Sequence, residues 1–454
     1  MTKNITIIGG GLAGCEAALR LADRGYKVNL WEMRPGTQTP AHQSGDLAEL
    51  VCSNSLKSTR LDTGAGLLKA EIGFLGAKLL DLAQECRVPA GHALAVNREL
   101  FAKKVNRMIE AHPAIEVIRE ELTEIPEGPT ILATGPLSSD AMMRHLKDLL
   151  GEDHLFFFDA IAPIVDADSL DRQIVYAKSR YDKGDPDYLN CAFNREQYYA
   201  FVEALMDGEK HSAHEFENEF FSGEKFRFYE NCMPIEELAR RGKDTLRHGV
   251  MRPMGLEIPA TGEKAFAVLQ LRAENKDLTA YNLVGCQTML RYPEQKRIFR
   301  LIPGLESASF LRYGSIHRNA YLNSPALLNP DLSLKARPDV WVAGQLSGVE
   351  GYVECIASGM LIAGIISKEI TSLPQESILG QLWQRLITDP GKQRFSPANA
   401  NFGLLPALAD SPRDKLLKKK MLSERSLKTL AAAFPKRAAK PPDNTDMKEE
   451  ETQS

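Results

Sequence analysis

The stretch Ile5–Glu32, ITIIGGGLAGCEAALRLADRGYKVNLWE, leaves the chain little choice of fold. Ile5, Ile7 and Ile8 read as a short buried strand, and Gly9, Gly11 and Gly14 supply the G-x-G-x-x-G spacing directly after it. In such a turn the first glycine permits the tight bend, the second lets a pyrophosphate approach the backbone, and the third lets the following helix pack against the strand. Ala17, Ala18, Leu19, Leu21 and Ala22 form the apolar face of that helix, Gly25 ends it, and Val28, Leu30 and Trp31 make a second strand. The second strand ends in Glu32, 18 residues after Gly14, where a carboxylate accepts ribose hydroxyls. Strand, glycine turn, helix, strand and acid together predict a dinucleotide-binding βαβ unit.

Two further strands bear on which dinucleotide. Ile131-Leu132-Ala133-Thr134-Gly135 runs an apolar strand into Ala-Thr-Gly, and Val340-Trp341-Val342-Ala343-Gly344-Gln345 is another strand ending in glycine. A fingerprint at the very start, Ala-Thr-Gly midway and a late strand plus helix resemble two-domain flavoproteins of the glutathione-reductase type. The expected ligand is therefore FAD rather than NAD. The predicted fold class is α/β, an FAD-binding Rossmann-like domain with an inserted α+β domain. The expected cofactor contacts are Gly9, Gly10, Gly11, Leu12, Ala13, Gly14, Glu32, Gly135, Gly344 and Gly351.

The rest of the chain divides by pattern. Leu67 to Cys86 carries leucines and isoleucine at three- and four-residue steps, which predicts one helix. Asn97 caps a predicted helix over 98–111, and Ile115 to Ile118 reads as a strand. From about Asp140 the βαβ rhythm gives way to short strands, aromatics and broken helices. The expected division is 1–140 for the first part of the FAD domain, 141–325 for an inserted substrate-side domain, 326–435 for the second part and 436–454 for a disordered tail. A helix is predicted over 357–370 and another over 413–434. The latter carries Arg413, Lys415, Lys418, Lys419, Lys420, Arg425 and Lys428 against Asp414 and Glu424. That strip reads either as a solvated face or as a phosphate-contacting surface.

Charge does not exclude a nucleic-acid partner. The formal net charge is −4, but Asp443 to Ser454 holds five acids and one lysine, so residues 1–442 are neutral by subtraction. A neutral body can carry a local basic face. No apolar run approaches the roughly 20 residues needed to span a bilayer, so no membrane association is expected. The first strand begins almost at the N-terminus, which predicts no signal peptide. Seven cysteines without C-x-x-C spacing predict neither a disulfide framework nor a metal site, and a cytoplasmic location.

Two cysteines stand out by context. Cys52 follows an apolar segment in a turn-forming set, LVCSNS. Cys232 precedes Met233-Pro234-Ile235-Glu236-Glu237, where Pro234 suits the first turn of a helix. Backbone N–H groups at a helix start favour a thiolate, and the acids nearby oppose it. A buried inert cysteine is the commoner fate of any one such residue, and these patterns leave both readings open. Cys15, Cys86, Cys286 and Cys355 read as core. His317 reads either as a stacking residue or as a structural one. Arg291, Lys296, Arg297, Arg300, Arg312 and Arg318 concentrate positive charge in one region, which reads as contacts to an anionic ligand or as surface ion pairs.

Longer motifs narrow the choice. GGGLAGCEAA, LAELVCSNSLKS, CRVPAGHALAVNRE, ENCMPIEELARRG, VLQLRAEN, EQKRIFRLIPGLE, GSIHRNAYLNSP, AGQLSGVEGYVE and NANFGLLPAL extend from end to end except the tail. In these the chain resembles the TrmFO family of folate- and FAD-dependent tRNA uracil-5-methyltransferases. The resemblance implies 5-methyluridine formation at position 54 of the tRNA T-loop. It implies 5,10-methylenetetrahydrofolate as carbon donor, reduced FAD as reductant and NAD(P)H as electron source. It also implies Cys232 as nucleophile and Cys52 as base, with no metal. The partners implied are tRNA and folate, with no obligate protein partner. A sister activity on ribosomal RNA, or another FAD-dependent RNA-modifying reaction, is the alternative.

Overall fold

A computed structural model describes residues 3–39, 41–151, 155–211, 233–391 and 395–438. Sixteen strands form four sheets among these residues. The central one is parallel, in the order β16-β7-β1-β2-β6, from β1 (Lys3–Ile8), β2 (Tyr26–Trp31), β6 (Ile115–Ile118), β7 (Thr130–Leu132) and β16 (Val340–Val342). Ile7 pairs with both Leu30 and Ile131, so the fingerprint strand lies in the middle of the sheet. A parallel sheet must be covered on both faces, and its strands are correspondingly apolar.

Helix α1 (Leu12–Ala22) crosses this sheet and is buried along its whole length. It packs on the late helix Tyr352–Ile366 so closely that a Cβ on Gly359 would lie 2.1 Å from Ala13 O. Gly14 makes the matching approach to the strand: a Cβ there would sit 1.9 Å from Gly9 O. Both contacts need glycine because two backbones meet with no room for a side chain.

A second sheet is antiparallel. It runs β10-β11-β12-β13-β9-β14, from β9 (Ile164–Asp166), β10 (Tyr176–Ala177), β11 (Tyr188–Phe193), β12 (Ala267–Ala273), β13 (Ala280–Leu283) and β14 (Phe310–Arg312). Its core is separate, built on Phe193, Tyr198, Phe201, Leu269, Leu283 and Phe299. The first core draws from residues 5–146 and again from 321–430. Two smaller sheets join β8 (Leu155–Ala160) to β15 (Ile316–Tyr321), and β3 (Ser55–Ser58) and β4 (Arg87–Val88) to β5 (Ala93–Val96). The fold is thus α/β, a parallel-sheet Rossmann-like domain with an additional sheet domain.

Three predicted helices are corrected. The helix expected over Leu67–Cys86 is two, α2 (Gly64–Phe74) and α3 (Lys78–Glu85). Gly76 turns between them at φ +78°, and buried Glu16 accepts the Lys78 and Leu79 N–H groups that start α3. The helix expected from Ala357 begins at Tyr352, because Gly351 at φ +119° provides the turn into it, and ends at Ile366. The last helix begins at Lys415, where the Asp414 side chain accepts the Leu417 N–H as its cap. Asn97 caps the helix Arg98–Glu110 as expected.

Among the described residues no helix is long and apolar enough to cross a membrane. No group of three metal-ligating side chains forms there either.

Candidate active site

A cleft runs over the C-terminal ends of β1, β2, β7 and β16. Of the residues expected to hold a cofactor, Gly9, Gly11, Leu12, Ala13, Glu32, Gly135 and Gly344 line it. Gly10, Gly14 and Gly351 do not, and their roles are internal. Gly10 donates its N–H to Glu32 Oε2 at 2.9 Å. Gly14 makes the helix–strand contact already described. At Gly351 a Cβ would lie 2.3 Å from Glu354 Oε2.

The cleft suits a dinucleotide. A Cβ on Gly11 would meet nothing within 4 Å, so the backbone is open there. Gly11 is also the N-cap of α1 and makes no side-chain cap bond, which leaves the first helical N–H groups available to phosphate. Glu32 is buried, and its other oxygen accepts the Arg34 N–H at 3.0 Å and Nε at 2.8 Å. Burial would raise its pKa, but Arg34 and the Gly10 N–H outweigh this and hold it below the usual carboxylate range. Arg34 in turn pairs with Glu49 at 3.2 Å. His42 also lines the cleft, and burial, with Arg34 beside it, lowers its pKa to about 4, leaving the imidazole neutral at pH 7. Arg34 and His42 carry no sequence signal of their own. They lie in a stretch that reads only as polar and turn-rich.

Cys52 sits where the two cores meet. Tyr352, which lines the cleft, accepts the backbone N–H groups of Cys52 at 2.9 Å and Ser53 at 3.2 Å. Burial and the nearby Cys52 raise the Tyr352 phenol well above its usual range, so it keeps its proton. On the other side Asn54 donates to Ala273 O at 3.0 Å and accepts from Arg272 Nε at 2.9 Å, both on β12. Arg98 adds a second tie: Nε and Nη2 reach Glu274 at 2.9 and 2.7 Å, while Nη1 donates to Leu50 O at 3.1 Å. Arg312 is within electrostatic reach of Cys52 and Arg98 and donates to Ala41 O at 3.1 Å. The loop bearing Cys52 is therefore pinned to the late helix through Tyr352 and to the second sheet through Asn54, with two guanidinium groups beside it.

Cys232 lies outside the described residues. The helix expected after it is present as Ile235–Arg240 with Pro234 as its N-cap. The six described cysteines are unpaired. Cys355, read as core, is partly exposed and lines the cleft, because the helix carrying it begins earlier than expected. Of the clustered basic residues, Arg291 pairs with Glu209 at 3.3 Å, Arg297 pairs with Glu294 at 2.5 Å and Arg300 caps Ala308 O at 2.8 Å. Lys418 and Lys420 are exposed, and Lys419 lies 5.8 Å from the Phe402 ring centroid.

The family model "Glucose inhibited division protein A" matches residues 4–373. The methylenetetrahydrofolate–tRNA-(uracil-5-)-methyltransferase TrmFO of Moorella thermoacetica is 51% identical over 433 residues, 94% of this chain and 97% of the relative. The chain belongs to the TrmFO family. The TrmFO of Bacillus subtilis is 49% identical over 434 residues, covering 94% of this chain and 98% of the relative. Among solved structures, GidA of Aquifex aeolicus shares the fold at a TM-score of 0.66 and 14% identity, matching 97% of this chain and 74% of its own.

Proposed function

We propose that this TrmFO-family chain is a folate- and FAD-dependent enzyme that methylates carbon-5 of a tRNA uridine, position 54 of the T-loop, in the cytoplasm. The observation that carries this reading is the near-full-length identity with relatives named for that reaction. The site supports it chemically. FAD, when bound, supplies the two electrons that turn a methylene unit from methylenetetrahydrofolate into a methyl group, and NAD(P)H is the proposed source of those electrons. Gly11 and Gly135 leave backbone open to it, and the cleft-lining Glu32 carboxylate would accept its ribose hydroxyls.

Uracil carbon-5 is a weak nucleophile. A thiolate from Cys232 adding to carbon-6 makes it enolate-like, and carbon-5 then takes the one-carbon unit. Cys52 removes the carbon-5 proton, and the electron pair expels the carrier of the one-carbon unit to leave a methylene on carbon-5. Hydride addition to that methylene makes the methyl group, and the resulting enolate expels the Cys232 sulfur as thiolate to restore the ring. Arg98 and Arg312 bring positive charge to the place where the enolate forms. Tyr352 holds the Cys52 turn in register with the cleft.

The test is carbon transfer. Labelled methylenetetrahydrofolate with NAD(P)H should deliver its carbon to unmodified tRNA, and S-adenosylmethionine alone should deliver none. Methylation supported by S-adenosylmethionine alone overturns the reading.

A further inference from the structure

Three aromatic rings of the additional domain form a column beside the site. Phe310, on the edge strand β14, stacks on Tyr313 with centroids 5.2 Å apart and planes 14° from parallel. Tyr313 stacks on Tyr292, the first residue of the helix Tyr292–Phe299, at 5.0 Å and 21°. Tyr292 ends the column: it is 54% exposed, and the His211 ring stands edge-on to it at 6.5 Å and 76°.

The column is braced from below. Buried Gln295 accepts the Gly314 N–H at 2.7 Å and donates to Gly314 O at 2.8 Å and Leu290 O at 2.7 Å. These bonds fasten the turn after Tyr313 to the helix that begins at Tyr292. Gly314 is hemmed in as well, since a Cβ there would lie 2.5 Å from Ile161 O. The platform is thus formed before any ligand arrives, which lowers the ordering cost of binding.

Its position ties it to the site. Arg312, between Phe310 and Tyr313 in sequence, reaches the surroundings of Cys52. The helix that begins at Tyr292 carries positive charge along it and at its two caps: Arg291, Lys296, Arg297 and Arg300, with Arg291 paired to Glu209 and Arg297 to Glu294. Near-parallel rings ending in a half-exposed one accept another flat ring, and basic groups alongside accept a phosphate backbone. That combination is how proteins hold unpaired bases.

We propose that the Phe310–Tyr313–Tyr292 column is a stacking platform for an unpaired nucleobase of the RNA substrate, close to the uridine that reaches Cys52. The proposal rests on the RNA-methylation reading above. The test measures tRNA affinity of the FAD-loaded full chain for wild type, Tyr292→Ala and Tyr292→Phe over a range of salt. Tyr292→Ala should weaken binding about 5- to 150-fold, the loss expected for one base–aromatic stack. The slope of log affinity against log salt should not change, because the ring carries no charge. Tyr292→Phe should bind like wild type, which excludes a folding defect at this helix start. Wild type that fails to bind tRNA removes the RNA reading and the platform with it. Wild type and Tyr292→Ala binding equally well removes the platform alone. The platform also falls if Tyr292→Ala changes only the KM for methylenetetrahydrofolate, which makes the column a folate contact. A change only in the sedimentation of RNA-free protein makes it a protein contact and likewise overturns the proposal.

Discussion

The Tyr352 hydroxyl accepts the backbone N–H of Cys52 at 2.9 Å, across 300 residues of chain. The same oxygen accepts the Ser53 N–H at 3.2 Å. One phenol therefore joins the wall of the cleft to the turn that carries the proposed base. Tyr352→Phe keeps the ring and removes the acceptor of both N–H groups. An unpaired buried N–H costs about 1–3 kcal/mol, so the turn should loosen. Methyl transfer should fall about tenfold or more for a loss of that size, with FAD still bound. A Tyr352→Phe enzyme with the wild-type rate would show that the turn is held by other contacts.

Two glycines of the fingerprint should separate cofactor binding from folding. Gly11 has open space where a side chain would go, whereas a Cβ on Gly14 would overlap Gly9 O. Gly11→Leu should fold with wild-type circular dichroism and come off purification colourless. Gly14→Ala should lose both fold stability and colour. A yellow Gly11→Leu protein would mean that FAD does not lie along this backbone.

Much of the first domain was legible because its signals are local. Period-two apolar strands, a helix face and glycines at fixed spacing all fall within Ile5–Glu32. The break at Gly76 is not legible because isolated glycines in a helical pattern, here Gly73 and Gly76, are usually tolerated, and the acid that caps the next helix, Glu16, lies 62 residues away. The site shows the same limit. Cys52 stood out from its turn, but Tyr352, Arg98 with Glu274, and Arg312 reach it only through the tertiary fold. The column at Tyr292 carries no local signal either, since Phe310, Tyr313 and Tyr292 meet only in the folded chain.

Arg98 and Glu274 tie the Cys52 loop to the additional domain through a pair with side chains 15% and 8% exposed. Breaking a buried pair from one side strands the other charge and costs about 3–5 kcal/mol. Arg98→Ala should lower the melting temperature clearly. Arg98→Ala with Glu274→Ala should recover part of the loss. A double variant less stable than Arg98→Ala would mean that Glu274 has another partner.

Glu71 sets a pH dependence. It is fully buried, accepts the Ile378 and Leu379 N–H groups that start the helix Ile378–Ile387, and accepts from Ser426 Oγ. Burial pushes its pKa up from 4.5 to about 7. A raised carboxyl pKa means the folded state binds the proton more tightly than the unfolded state. The stability it contributes is complete below about pH 4.3 and is lost as pH rises through about 7. The melting temperature at fixed ionic strength should therefore fall between pH 5 and pH 8, and Glu71→Gln should flatten that fall. An unchanged slope in Glu71→Gln would assign it to other buried acids, Glu16 and Glu236 first, since burial also pushes each of these up to about 7.

In the proposed reaction one cysteine thiolate adds to uracil carbon-6 and a second thiolate removes the carbon-5 proton. Fluorine at carbon-5 cannot leave as a proton, so tRNA carrying 5-fluorouridine should trap the adduct. The measurement is denaturing electrophoresis of the enzyme after incubation with that tRNA, methylenetetrahydrofolate and NAD(P)H. Wild type and Cys52→Ala should both give a shifted protein–RNA band, Cys232→Ala should give none, and Cys52→Ala should fail to turn over natural tRNA. A band retained in Cys232→Ala, or absent from wild type, contradicts the account.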